Sequence, residues 1–302
     1  MAVVVLGLLV VVGYTAGRLA PRFEQPAPLT GTRAREMPSS AQTCRDVLCQ
    51  VAWPTPAQAP DGSYEEWIGG HRVRYTLDPE LQEQALAVFR KYSVPYGAFV
   101  AVEPATGKIL ALAEYSREEP ELRDFCRRAT YPAASLIKVV TAAAVLEAGV
   151  ATPETRVRYE GNPYRLYPRK LSGANGWREN NVSTVAEALG SSNNVVFGKL
   201  GAELGAEGLE GALVRFGFNR PIPLDFPLQE SRATVPTERF PLGRTAAGFG
   251  GVYVSPVHAA LIAAAVGNGG VMMRPYLVES LEDGEGKVLY QAAPAPLWRS
   301  TT

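Results

Sequence analysis

A serine and a lysine stand one helical turn apart at Ser135-Leu136-Ile137-Lys138, and their surroundings constrain the local fold more tightly than any other stretch of the chain. Tyr131-Pro132-Ala133-Ala134 leads in with a proline. Val139-Val140-Thr141-Ala142-Ala143-Ala144-Val145-Leu146 follows, apolar but for one threonine, and Gly149 closes the segment. The pattern predicts a buried helix within 131–149. Helix positions three apart share a face, with Cβ atoms about 5–6 Å apart, so Lys138 can reach the Ser135 hydroxyl. The helix N-terminus favours a developing alkoxide, and burial disfavours an ammonium. Together these make a serine nucleophile whose base is an amine, with no histidine required. The plainer alternative is a capping serine beside a surface lysine. With 14 serines and 6 lysines in 302 residues, chance supplies roughly 0.3 such matches, so the spacing alone decides nothing.

The rest of the chain supplies context. Residues 1–17 are apolar up to Arg18, a run of about 17, near the lower limit for a bilayer span and also the size of a signal-peptide core. We read 1–20 as a single membrane anchor, or failing that a signal segment, with everything downstream exported; a buried core helix is the alternative. Residues 21–66, rich in Pro, Ala, Thr and Ser without periodicity, read as a tether. Cys44 and Cys49 within it either close a small disulfide loop or stay unpaired.

Order is expected over 67–302. Val73-Arg74-Tyr75-Thr76 alternates like a strand. Asp78-Pro79 caps a helix carrying Leu81, Ala85, Val88 and Phe89 on one face. The apolar runs 97–102 and 108–113 flank Pro104-Ala105-Thr106-Gly107, a hairpin signal. Thr184 with Glu187 forms a capping box. Helices are expected from Val195, over 207–216, and after Ser255-Pro256; a last hairpin turns at Asp283-Gly284-Glu285-Gly286. Strands at both ends with helices between them predict an α+β fold. Charge balances at 30 basic and 30 acidic residues, which gives no field for nucleic acid. No cysteine or histidine spacing suggests a metal site, and no cofactor is expected; His71 and His258 are isolated.

Several stretches carry a resemblance to a known family: Tyr75-Thr76-Leu77-Asp78-Pro79, the 97–107 hairpin, Tyr131 to Lys138, and the cluster Ser191-Ser192-Asn193-Asn194. Ala247-Gly248-Phe249-Gly250, Ser255-Pro256-Val257-His258 and Gly267-Asn268-Gly269-Gly270 continue it. In this order they resemble the transpeptidase domain of penicillin-binding proteins, over roughly 75–290. The resemblance implies an antiparallel sheet flanked by helices, with a helical subdomain. It implies Ser135 as nucleophile, Lys138 as general base, and a Ser-x-Asn element. That element has two registers, Ser191 with Asn193 or Ser192 with Asn194; the second places Phe197 three residues past the asparagine and is preferred. Its serine relays a proton to the leaving amine, and its asparagine holds the substrate backbone and Lys138.

The family's third signature, Lys-Thr-Gly, is absent; Arg244-Thr245-Ala246 is the nearest string and lies too early. The sheet is therefore expected to be incomplete at the C-terminus, through truncation or degeneration. The implied function is a peptidoglycan D,D-transpeptidase acting on D-Ala-D-Ala stem peptides and acylated by β-lactams. It would be anchored once in the bacterial cytoplasmic membrane, its domain on the outer side, among other cell-wall synthesis proteins. The alternatives are a catalytically inactive envelope module and a β-lactamase or β-lactam sensor.

Overall fold

The computed structural model describes residues 39–50, 57–171 and 179–302. The expected anchor at 1–20 lies outside the described residues. Among those described, no helix is long and apolar enough to cross a membrane.

The main sheet is antiparallel and five-stranded, in the order Ala57–Gln58, Tyr64–Ile68, His71–Tyr75, Val278–Glu282, Val288–Gln291. Pairing of His71–Tyr75 with Val278–Glu282 joins the two ends of the domain. The long hairpin Tyr96–Val102 with Ile109–Ser116 lies beside this sheet. Among the bonds that tie it there, the Thr76 hydroxyl donates to the Ile109 carbonyl at 2.6 Å, and the Ile109 N–H to the Tyr276 carbonyl at 3.0 Å. The last hairpin turns where expected, but its first strand begins at Val278 and not at Pro275.

Part of the segment expected as a tether is folded. Helix α1 (Ser39–Leu48) buries Cys44, Val47 and Leu48 in the main core. That stripe of three apolar residues at i, i+3 and i+4 was too short to stand out between polar and proline-rich neighbours. Cys44 is buried and Cys49 exposed, both as free thiols.

Seven further helices follow: α2 (Pro79–Lys91), α3 (Ile137–Glu147), α4 (Val185–Gly190), α5 (Asn194–Leu204), α6 (Ala206–Arg215), α7 (Arg239–Ala246) and α8 (Pro256–Gly267). Their caps follow the sequence. The Asp78 carboxylate accepts from the Leu81 N–H, Thr184 and Glu187 bond reciprocally, and the Ser255 hydroxyl accepts from the His258 N–H. His258 is a core residue: its Nε2 meets the Phe216 carbonyl at 2.8 Å, and burial lowers its pKa to about 4, so it stays neutral.

Helix α3 is shared between two cores. Ile137, Val140 and Ala144 face the main cluster; Ala142 and Val145 face a second one, with Val196, Phe197 and Leu200 of α5 and Ala247. Each fully buried Val or Ile contributes about 1.5–3 kcal/mol. A helix packed on two sides cannot rotate or slide without loss, so the start of α3 is a fixed platform.

Candidate active site

The expected helix, placed within 131–149 after Pro132, starts later than that proline suggests. Tyr131–Pro132 is a short strand, paired with Gly251–Val254, which in turn pairs with Arg232–Thr234. Residues Ala134–Leu136 form a 3-10 turn, and α3 begins only at Ile137. Ala134 has φ +47°, the left-handed region that costs a residue with a Cβ about 1 kcal/mol or more. Ser135 thus stands exposed at the mouth of the turn, while Lys138, one turn on, is 1% exposed.

Three polar atoms close a triangle. Lys138 Nζ donates to Ser135 Oγ at 2.8 Å and to Ser192 Oγ at 3.1 Å. Ser192 Oγ donates to Ser135 Oγ at 2.9 Å. Burial lowers the Lys138 pKa to about 8, and among the described residues no carboxylate pairs with it to hold the proton on. An amine so placed has an appreciable neutral fraction near physiological pH, far above that of an ordinary lysine, and in that form its lone pair can accept the Ser135 proton. The Ser135 N–H has no acceptor among the described residues.

The residues of the other serine-asparagine register make different contacts. Ser191 Oγ donates back to the Glu187 carbonyl at 2.8 Å, away from Lys138. Asn193 is the cap of α5, its Oδ1 accepting from Val195 N and Val196 N, both at 3.0 Å. Ser192 takes φ +55°, a second strained residue beside the first. Asn194 begins α5, but it does not bond Lys138. Its Nδ2 donates to the Tyr164 carbonyl at 2.8 Å, and its backbone N–H donates to the Pro163 carbonyl at 2.9 Å. Of the four expected residues, Ser135, Lys138 and Ser192 meet directly. Asn194 pins the neighbouring 162–171 loop, which Lys170 Nζ also braces through the Asn162 and Arg165 carbonyls at 2.9 and 2.7 Å.

Two contributors escaped the sequence reading. The Thr141 hydroxyl, buried on α3, donates to the Ala246 carbonyl at 2.9 Å. Gly248 lies against the Ala134–Ser135 peptide so closely that a Cβ there would stand 2.2 Å from the Ala134 oxygen. Both contacts join positions far apart in sequence, and no local signal announces them.

A family model described as the penicillin binding protein transpeptidase domain matches residues 97–299. The peptidoglycan D,D-transpeptidase PbpA of Mycobacterium tuberculosis (strain ATCC 25618 / H37Rv) is 33% identical over 243 residues, covering 70% of this chain and 49% of that protein. Stage V sporulation protein D of Bacillus subtilis (strain 168) is 28% identical over 251 residues, 76% of this chain and 37% of that protein. The chain thus spans about half the length, or less, of these curated relatives. Among solved structures, the penicillin G acyl-enzyme complex of penicillin-binding protein A from M. tuberculosis superposes with a TM-score of 0.63 at 28% identity. That match covers 76% of this chain and 60% of the other. The D,D-transpeptidase domain of a peptidoglycan glycosyltransferase from Eggerthella lenta gives 0.66 at 26% identity, covering 90% and 73%.

Proposed function

The chain belongs to the penicillin-binding protein transpeptidase family, and on that footing we propose that it is a peptidoglycan D,D-transpeptidase working through an acyl-serine. The observation that carries this reading is the triangle of Ser135, Lys138 and Ser192 around a buried, depressed-pKa amine.

Neutral Lys138 takes the Ser135 proton as Oγ attacks the carbonyl carbon of the D-Ala-D-Ala bond. The oxyanion of the tetrahedral intermediate faces the Ser135 N–H at the positive end of α3. Collapse breaks the C–N bond. The departing nitrogen takes its proton from Lys138 through Ser192 Oγ, which bonds both partners. D-Alanine leaves and an ester on Ser135 remains. An acceptor amine attacks that ester along the reverse route, gives its proton to Lys138 and restores the serine. Asn194 orders the edge of the cleft through the Tyr164 carbonyl, and we assign its Oδ1 to a substrate backbone N–H. A β-lactam acylates the same Oγ, but its nitrogen stays tethered to the acyl group and obstructs the second attack. The run at 1–20 would hold the domain on the outer face of the cytoplasmic membrane, near other cell-wall synthesis proteins.

The second reading is an envelope interaction module of the same fold without catalysis. Labelling with a fluorescent penicillin, followed by tryptic mapping, separates the two. The transpeptidase reading predicts a stable adduct on peptide 129–138, which contains Ser135. No adduct on folded protein sinks it in favour of the module; rapid turnover of penicillin without a lasting adduct points to a β-lactamase.

The register of the serine-asparagine element gives a second test. Ser192→Ala removes the hydroxyl between Lys138 and Ser135, and its labelling rate should fall by about 10²-fold or more. Ser191→Ala, whose hydroxyl serves only the Glu187 carbonyl, should label like the parent. Equal rates for the two variants would reject the relay.

A further inference from the structure

Two residues that flank or share the reacting triangle, Ala134 and Ser192, sit at positive φ. Something must hold the turn before Ser135 in that shape. The strand Tyr131–Pro132 fixes its entry and α3 its exit, but Ala134 itself is exposed.

The contact comes from the arch 246–252, which links α7 to the strand Gly251–Val254 and wraps around the turn. One foot of the arch rests on α3, where Thr141 Oγ1 donates to the Ala246 carbonyl at 2.9 Å. The other rests on the turn itself, where the Ala133 N–H donates to the Val252 carbonyl at 2.9 Å. Between them Gly248, at φ +99°, lays its bare Cα on the Ala134–Ser135 peptide. A Cβ on it would stand 2.2 Å from the Ala134 carbonyl oxygen, 2.4 Å from its carbon and 3.0 Å from the Ser135 nitrogen. Backbone atoms cannot swing aside as a flexible side chain can. A methyl group there must therefore displace the peptide that carries the nucleophile.

We propose that Gly248 is a positioning residue: its missing side chain lets the 246–252 arch press the Ala134–Ser135 peptide into the left-handed turn that sets Ser135 Oγ on Lys138 and Ser192 and leaves the Ser135 N–H open to the oxyanion. The inference rests on the acyl-serine reading given above. A displacement on the order of 1 Å at a reacting group can cost about 10²-fold in rate. Gly248 thus governs acylation without touching the substrate.

The test measures the second-order rate of acylation by a fluorescent penicillin for the full chain and its variants, per folded molecule, with thermal melting alongside. Gly248→Ala should acylate about 10²-fold more slowly than the parent. Gly286→Ala controls for backbone strain alone, since Gly286 has φ +83° in the last hairpin and open space around it; it should acylate at the parental rate. Adding Ala134→Gly to Gly248→Ala frees the clashing peptide to adjust and should recover much of the lost rate. If Gly248→Ala does not fold, Thr141→Val loosens the same arch by removing the bond to Ala246 and should slow acylation, while Thr141→Ser keeps that bond and the rate. Gly248→Ala acylating like Gly286→Ala, or Thr141→Val acylating like Thr141→Ser, would overturn the proposal. Failure of the parent chain itself to acylate is a different result, and it strikes the acyl-serine reading instead.

Discussion

Ser135→Ala should yield a folded chain that takes up no penicillin at all. The hydroxyl is exposed at the mouth of a turn, so its removal costs the fold no more than about 1 kcal/mol. Lys138 keeps Ser192 as a partner at 3.1 Å, so the buried amine is not orphaned. Chemistry has no such reserve. Ser192 Oγ is the other hydroxyl within reach of Lys138, but it follows a residue already committed to Glu187 and precedes the cap of α5. No helix N-terminus opens at its own N–H, which donates to the Leu189 carbonyl at 3.0 Å. Fluorescent labelling on a gel and intact mass measure the loss. An adduct that persists on Ser192 would show that the nucleophile was misassigned.

Lys138→Met should be nearly as severe for acylation and harmless to the fold. Removal of a general base costs about 10²–10⁴-fold. Methionine matches the lysine stem in length and adapts to irregular packing, and it removes an amine whose burial is itself unfavourable. The sign of the linkage follows from the depressed pKa, about 8 in the folded chain against 10.5 for an ordinary lysine. The stability cost of burying Lys138 is complete below about pH 8, shrinks as pH rises, and is absent above 10.5. Lys138→Met should therefore melt no lower than the parent at pH 7. Lys138→Arg offers the contrast. A guanidinium cannot lose its proton, so that variant should be equally inactive and also less stable. A Lys138→Met variant that acylates within tenfold of the parent would remove the amine from the mechanism.

The helix caps were legible because each is local chemistry: Asp78 before Pro79, Thr184 with Glu187, Ser255 before Pro256. The long hairpin was legible because its turn residues sit between two apolar runs. The pairing of Ser135 with Lys138 followed from helical spacing, although the helix starts later than expected and a 3-10 turn carries the serine. The register of Ser192 with Asn194 was preferred only on the spacing to Phe197, since two serines followed by two asparagines fit either register; the α5 cap on Asn193, invisible in that spacing, occupies the Asn193 side chain and supports the same choice. Asn194 was expected against Lys138 and instead holds the Tyr164 carbonyl, a contact made by a loop 30 residues earlier. The α1 stripe was obscured by its polar neighbours. The bond of Thr141 to Ala246 and the close approach of Gly248 to the Ala134–Ser135 peptide span more than a hundred residues and belong to packing, which no window of sequence contains.

The central claim is that a buried Lys138, which loses its proton more readily than an ordinary lysine, activates Ser135, and the pH dependence of the penicillin acylation rate tests it most directly. The rate should rise with pH and level off through an inflection near 8, where Lys138 loses its proton. A rate that is flat between pH 6 and 10, or that climbs with no inflection below the ordinary lysine range, would contradict it.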